Sequence, residues 1–298
     1  MLIVLGAAFA GTIGLLAALR AVAPAHAATG SKAAAAAPAS DFYSAAWLTA
    51  NPGPDLGLQA AAAVVADLDT HRLLWARDPA TPRAPASLAK MVTAMVAVDL
   101  AGLDRTLTVP PEATGVEPNL MGLAPGDVVS VRELLYGLFL DSGNDAAEAL
   151  GQAIVPRARF IADMNAKAGR WGLKGTTFAN PSGLDDPGLR STPYDLAVIA
   201  GHLATEYPAL MEIAGTREHS IPATPQHRAY APYNLNKMLA TYPGSTGLKT
   251  GLTDDAGGCV VVTATRNGRR LVAVVMRSDI FFTDAARLLD YGFSTRQP

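Results

Sequence analysis

The sequence is poor in cysteine, in aromatic residues and in charge. Its 298 residues include one cysteine, Cys259, which excludes an intramolecular disulfide framework and any cysteine-rich metal site. Only 17% of the residues are charged and the net charge is −2, so nucleic acid is not expected as a partner. Half of the residues are hydrophobic, so the chain can bury a sizeable core in one large domain or two small ones.

The N-terminal residues predict export from the cytoplasm. Residues 2–19 form a nearly continuous apolar run, and the Ala-His-Ala sequence at 25–27 fits the small-x-small cleavage site of a secretory signal peptide. The run is also at the lower length limit for a membrane span, so a retained N-terminal membrane anchor is the alternative. Either interpretation of residues 1–27 places the rest of the chain outside the cytoplasm. Residues 28–55 are predicted to be a linker with a short helix.

Strand signals lie at both ends of the remaining sequence. They form two predicted hairpins: 59–67 with 73–76, and 259–265 with 270–276. The second hairpin is the stronger, because Asn267 and Gly268 join its strands and this pair is typical of a type I′ turn. A final helix is predicted at 283–291, where Ala285, Leu288 and Leu289 recur at helical spacing.

The middle of the chain carries helix signals instead. Helices are predicted at 87–101, at 134–140, from 145 onward and at 158–171. Ser130 and Glu133 form a capping box before the second of these, and residues 104–128 are predicted to be rich in loops. The order predicts an α/β domain with an antiparallel sheet built from both chain ends, helices packed on it and an inserted helical block. The catalytic cleft would lie between the sheet and this block.

Ser87 and Lys90 are the first candidate for chemistry. They stand three residues apart near the predicted start of a helix, so both side chains face the same way. A serine hydroxyl needs a base to become a nucleophile, and a lysine with a lowered pKa can be that base. The pattern alone is weak, since an N-cap serine followed by a solvated lysine looks the same.

A second candidate is the turn Ser142-Gly143-Asn144 between two predicted helices. By itself it is most simply a turn rich in turn-forming residues. In a functional interpretation the Ser142 hydroxyl relays a proton, and the Asn144 amide holds Lys90 or the substrate backbone.

A third candidate is Lys249-Thr250-Gly251. The structural alternative is a strand edge with an exposed lysine. In the functional interpretation Lys249 and the Thr250 hydroxyl bind a substrate carboxylate, while Gly251 lets the substrate approach the backbone closely. Lys249 would also be the cation that lowers the pKa of Lys90.

The three motifs in this order, about 55 and about 107 residues apart, are typical of penicillin-recognising serine enzymes. The sequence resembles the low-molecular-mass penicillin-binding proteins that are D-alanyl-D-alanine carboxypeptidases, over roughly residues 57–293. Besides the motifs, the resemblance rests on segments 85–90, 134–147, 178–186, 191–197, 234–236, 247–251 and 289–293. Gly143, where class A β-lactamases have Asp, favours this family, and so does the absence of a Glu-x-x-x-Asn element between residues 150 and 230.

The resemblance implies a serine D,D-peptidase of β-lactamase/transpeptidase-like fold, occupying residues 56–298 without the C-terminal β-domain of the best-known branch. Ser87 would attack the carbonyl between two D-alanines of a peptidoglycan stem peptide, and Lys90 would accept its proton. The backbone N–H groups of Ser87 and Leu252 would hold the oxyanion. β-Lactams would acylate the same serine. No metal or organic cofactor is implied, and the expected location is the cell envelope, on the outer face or in the periplasm.

The sequence departs from the family pattern at two positions, and other functions are compatible with the same motifs. Ala89 stands where the family usually has Thr, and Arg277 is not assigned as the arginine that binds a substrate carboxylate. A D,D-endopeptidase or a β-lactamase would use the same acylation residues. A non-catalytic penicillin-recognising module that acts as a sensor or wall-binding protein is a further alternative, although such a protein would be expected to have lost Ser87 or one of the lysines.

Overall fold

The computed structural model describes residues 42–51 and 53–296. The predicted signal peptide or anchor at 1–27 lies outside the described residues, as does the first part of the predicted linker. The short helix expected before residue 55 is present as α1, Ala46–Ala50. Within the described part of the chain, no helix is both long and apolar enough to cross a bilayer.

A five-stranded antiparallel sheet forms the centre of the fold. Its strands are β1 Ala62–Asp67, β2 Arg72–Arg77, β5 Ser245–Thr253, β6 Gly257–Arg266 and β7 Arg269–Met276. They lie in the order β2-β1-β7-β6-β5. β1 pairs with β7, so the two chain ends meet in the middle of the sheet, as predicted. Asn267 and Gly268 both have positive φ, +52° and +80°, which is what a type I′ turn requires.

The helices of the inserted block are α2 Lys90–Ala101, α3 Pro111–Thr114, α4 Val131–Phe139, α5 Asn144–Ala153, α6 Arg157–Arg170, α7 Pro193–Glu206, α8 Pro208–Gly215 and α9 Met238–Thr241. The predicted capping box is present, because the Glu133 N–H donates to Ser130 Oγ and the Ser130 N–H donates to the Glu133 carboxylate. The last helix, α10 Phe281–Ser294, extends beyond the predicted 283–291 at both ends.

The sequence prediction missed several short elements. Residues 104–128 contain β3, Thr106–Thr108, and the single-turn helix α3, and β3 pairs with β4, Val128–Ser130. Helices α8 and α9 were also not predicted. Such short segments have too few residues for a clear periodicity, and contacts made elsewhere in the fold stabilise them.

Both faces of the sheet are buried, which explains why its strands are apolar without alternation. Along β1, Val64 and Ala66 face the helical block, whereas Ala63 and Val65 face α10. All six β1 residues are buried. β5 is the edge strand of this sheet, and the turn that carries Ser87 packs beside it. The candidate site therefore lies between the sheet edge and the helical block, as the sequence predicts.

Candidate active site

Ser87 lies in a 3₁₀ turn, Ala86–Ala89, that leads directly into α2. A 3₁₀ turn has about 3 residues per turn, so side chains three apart eclipse each other. This places Lys90 Nζ 2.8 Å from Ser87 Oγ. Ala86 enters the turn with φ +50°, a left-handed conformation that is unusual for a residue with a side chain. The sequence predicted the pairing of Ser87 and Lys90 but placed it in an α-helix.

Lys90 is completely buried and its ammonium is surrounded by acceptors. Besides Ser87, Nζ donates to Asn144 Oδ1 at 2.6 Å and to the carbonyl oxygen of Ser182 at 2.5 Å. Burial lowers the pKa of Lys90 well below its usual value, and the nearby charge of Lys249 lowers it further. The sequence predicted the effect of Lys249, but burial is the larger cause. A neutral Lys90 can accept the proton of Ser87 without leaving its two other partners.

Lys249 is the second buried lysine of the site, with 1% of its surface exposed. Its Nζ donates to the Thr250 carbonyl at 3.1 Å. Burial lowers the pKa of Lys249 to about 7, although the charge of Asp141 opposes this. Burial also raises the pKa of Asp141. Lys249 therefore lies beneath the wall of the site, where its charge acts on Lys90. The structural alternative, an exposed strand-edge lysine, is wrong.

The turn Ser142–Asn144 lies opposite the Ser87 turn. Ser142 is buried and has φ +58°, and the Asn144 side chain bridges Lys90 to the carbonyl of Glu117 through Nδ2 at 2.8 Å. Of the two interpretations of Asn144, contact with Lys90 is the one observed. The same turn anchors the segment Met121–Leu123, because the buried Asp145 carboxylate accepts its three backbone N–H groups at 2.8, 2.8 and 3.0 Å. Sequence reasoning did not assign a role to Asp145.

Two glycines allow backbone segments to close around Ser87. A Cβ at Gly183 would lie 2.1 Å from the carbonyl oxygen of Ala86, and one at Gly251 would lie 3.0 Å from the backbone nitrogen of Ser87. Gly251 was expected to let the substrate approach the backbone closely, which stays a prediction; the contacts of an added Cβ show that a side chain here would also press on the Ser87 turn. The contribution of Ser182 and Gly183 was missed, although the sequence of residues 178–186 is part of the family resemblance.

Six of the eight predicted site residues line one cavity of about 340 Å³: Ser87, Ser142, Asn144, Thr250, Gly251 and Leu252. The other two, Lys90 and Lys249, lie beneath it. The remaining wall is largely apolar and includes Leu235, Phe281 and Phe282. Sequence reasoning missed these residues, because an apolar side chain at a cleft gives the same signal as one in the core.

A second cavity of about 580 Å³ adjoins the first and shares Pro118, Leu184, Leu252 and Thr253 with it. Its charged lining residues are all acidic: Glu117, Asp185 and Asp254.

Among residues 42–51 and 53–296, no group of three or more His, Cys, Asp or Glu side chains is arranged to hold a metal ion.

Comparison with known proteins identifies the family. Residues 49–279 match the family model described as D-alanyl-D-alanine carboxypeptidase. The carboxypeptidase DacB2 of Mycobacterium tuberculosis is 37% identical over 239 residues, which are 78% of this chain and 81% of that protein. DacF of Bacillus subtilis is 30% identical over 249 residues, which are 80% of this chain and 64% of that protein.

Solved structures agree with this result. The D-alanyl-D-alanine carboxypeptidase from M. tuberculosis H37Rv superimposes with a TM-score of 0.75 at 36% identity, covering 82% of this chain and 93% of that one. The Streptomyces K15 DD-transpeptidase gives a TM-score of 0.75 at 30% identity, covering 80% of this chain and 98% of the other. The predicted fold class is therefore confirmed. The chain belongs to the D-alanyl-D-alanine carboxypeptidase family of serine peptidases.

Proposed function

We propose that this protein removes the terminal D-alanine from peptidoglycan stem peptides through an acyl-enzyme on Ser87. The observation that carries the proposal is the 2.8 Å contact between Ser87 Oγ and Lys90 Nζ. Lys90 is fully buried and its pKa is lowered well below the usual value, so the lysine can be neutral when substrate binds. Family membership supports the substrate class.

Acylation begins when Lys90 accepts the proton of Ser87 and Ser87 Oγ attacks the carbonyl carbon between the two D-alanines. The negative charge that develops on the carbonyl oxygen is held by the backbone N–H groups of Ser87 and Leu252. The close approach of Gly251 to the Ser87 nitrogen supports this, because it brings β5 directly beside the nucleophile. Each such donor stabilises the transition state by about 3 kcal/mol. The C–N bond then breaks, and the leaving nitrogen takes the proton from Lys90 through the Ser142 hydroxyl.

Deacylation uses the same residues with water as the nucleophile. Lys90, neutral again, accepts a proton from water, the hydroxide adds to the ester carbonyl, and Ser87 Oγ leaves with the proton. Asn144 orients Lys90 through the 2.6 Å hydrogen bond from Nζ. The substrate carboxylate binds on the side of the site formed by Thr250 and Lys249. Thr250 lies in the cavity wall, and the charge of Lys249 beneath it attracts the carboxylate. β-Lactams would acylate Ser87 by the same first step.

Labelling with a fluorescent penicillin tests the nucleophile and the base. One labelled band is expected for the wild-type chain and none for Ser87→Ala. Lys90→Arg should fold but lose acylation, because arginine stays protonated at neutral pH. Labelling of Ser87→Ala, or near-normal acylation of a cooperatively melting Lys90→Arg, would contradict the assignment.

Digestion of purified muropeptides separates the related activities. Release of D-alanine from monomers alone supports a carboxypeptidase, whereas cleavage of dimers identifies an endopeptidase. Rapid turnover of a penicillin instead of a stable adduct would identify a β-lactamase.

The location follows from the substrate, since peptidoglycan lies outside the cytoplasmic membrane. Export through residues 1–27, by cleavage or by anchoring, is part of the proposal. Fractionation of cells expressing the full chain tests it. The enzyme should be found in the envelope or medium, and removal of residues 1–27 should retain it in the cytoplasm.

A further inference from the structure

Lys237 lies at the mouth of the catalytic cavity, at the N-cap of the short helix α9. Its side chain is exposed, and it is the one charged residue among the described residues that line the Ser87 cavity. It takes no part in the salt bridges found within residues 42–51 and 53–296. An unpaired ammonium at the mouth of the cavity favours an anionic group of the ligand.

The position of Lys237 along the cleft is fixed by the segment before it. The Leu235 N–H donates to the carbonyl of Leu140 at 3.1 Å, and the Tyr233 N–H donates to Asp141 Oδ1 at 3.0 Å. This segment therefore runs beside residues 140–142, at the end of the cleft formed by Ser142. The charge of Asp141 acts on Lys249, so Lys249 belongs to the same end.

The cavity that adjoins the Ser87 cavity has the opposite charge. The adjoining cavity, beyond Leu252, has only acidic side chains among its charged lining residues, namely Glu117, Asp185 and Asp254. The cavity at Ser87 thus has a cationic lining residue, and the cavity beside it has acidic ones. A peptide that carries a free carboxylate next to the scissile bond is repelled by the acidic residues and attracted by Lys237.

Lys249 alone does not satisfy such a carboxylate. It is 1% exposed and its ammonium already donates to the Thr250 carbonyl. A carboxylate offers roughly four lone-pair sites and is bound best by several donors. Lys237, exposed at the cavity wall with Thr250, supplies a further cationic donor on the solvent side.

We propose that Lys237 binds the free C-terminal carboxylate of the peptide and so selects substrates that end directly after the scissile bond. The inference rests on the proposed function, because the carboxylate belongs to the terminal D-alanine that this reaction releases. It adds a specificity residue that the three sequence motifs do not include.

Two peptides with the same acyl part test this: Nα,Nε-diacetyl-L-Lys-D-Ala-D-Ala with a free carboxylate, and the same peptide as its C-terminal carboxamide. Lys237→Gln should raise KM for the free acid, lowering kcat/KM by about tenfold with kcat little changed, as expected for loss of one charge-assisted hydrogen bond. Activity on the carboxamide should not change. Lys237→Arg should restore most of the loss, because arginine keeps the charge.

Lys174→Gln is the matched control, since Lys174 is also exposed but lies outside the cavity lining. It should behave like the wild type on both peptides. Unchanged kcat/KM of Lys237→Gln on the free acid, or an equal loss on both peptides, would overturn the assignment. A wild-type protein that is not acylated at Ser87 and hydrolyses neither peptide would instead overturn the proposed function, so the two failures are distinguishable.

Discussion

Replacing Gly183 by alanine tests how the nucleophile is positioned. Gly183 has φ +86°, and a Cβ there would lie 2.1 Å from the Ala86 oxygen, 2.6 Å from its carbonyl carbon and 2.9 Å from Ser87 Cα. Real Cβ atoms essentially never come closer than 3.0 Å, so the shortest contact is about 1 Å too close. All three contacts are with backbone, so rotation of a side chain cannot relieve them. The Ser87 turn must move away from Gly183.

The size of the effect follows from this displacement. A shift of about 1 Å between reacting groups costs roughly 100-fold in rate, or about 2.7 kcal/mol in the barrier. The left-handed φ adds about 1–2 kcal/mol of strain to the folded state. The displacement also disturbs the 2.5 Å hydrogen bond from Lys90 to the Ser182 carbonyl, next to the substitution. We expect Gly183→Ala to be acylated about 100-fold more slowly and to melt at a lower temperature.

The assay is the second-order rate of acylation by a fluorescent penicillin, measured together with a thermal melt. Gly126→Ala is the control, because Gly126 has φ +87° but nothing lies within 4 Å of its added Cβ. It should lose stability and keep its acylation rate. If Gly183→Ala fails to fold, Gly251→Ala provides a milder test, with contacts of 2.9 and 3.0 Å to the Ala86 Cβ and the Ser87 nitrogen. A cooperatively folded Gly183→Ala that acylates at the wild-type rate would refute the reasoning.

Three other predictions concern charge. Lys249→Gln removes a charge that lowers the pKa of Lys90, so the pKa of Lys90 should rise and the acid limb of the acylation profile should move to higher pH. An unmoved limb would show that the two lysines are not coupled. Asp145→Ala leaves several buried N–H groups without their acceptor and should cost about 3 kcal/mol or more in urea denaturation. Arg269→Leu leaves Asp67 without its buried partner, 2.7 Å away, and should cost about 3–5 kcal/mol in the same assay, so a loss below 1 kcal/mol would contradict it.

The chemistry of this protein could be predicted from sequence because its main residues are close along the chain or have distinctive spacing. Ser87 and Lys90 are three residues apart, so local backbone geometry alone brings them together. The hairpin at Asn267 and Gly268 is equally local, since the turn chemistry of two residues sets it. Even so, the spacing of Ser87 and Lys90 did not distinguish an α-helix from the 3₁₀ turn that carries Ser87 in the structure.

Only the tertiary structure decided how these residues are surrounded. The Ser182 carbonyl is 92 residues from Lys90 in sequence, and no spacing rule indicates that it is an acceptor for the ammonium. The lowered pKa of Lys90 depends first on burial, which arises because the Ser87 turn packs against β5 and because Asn144 and Ser182 close around the ammonium. Lys237 and the acidic residues Glu117, Asp185 and Asp254 lie in segments without a motif, and the fold places them in two adjoining cavities. Covalent neighbours and turn chemistry are encoded locally, whereas burial, close backbone approach and the charge of a cleft depend on residues that meet only after folding.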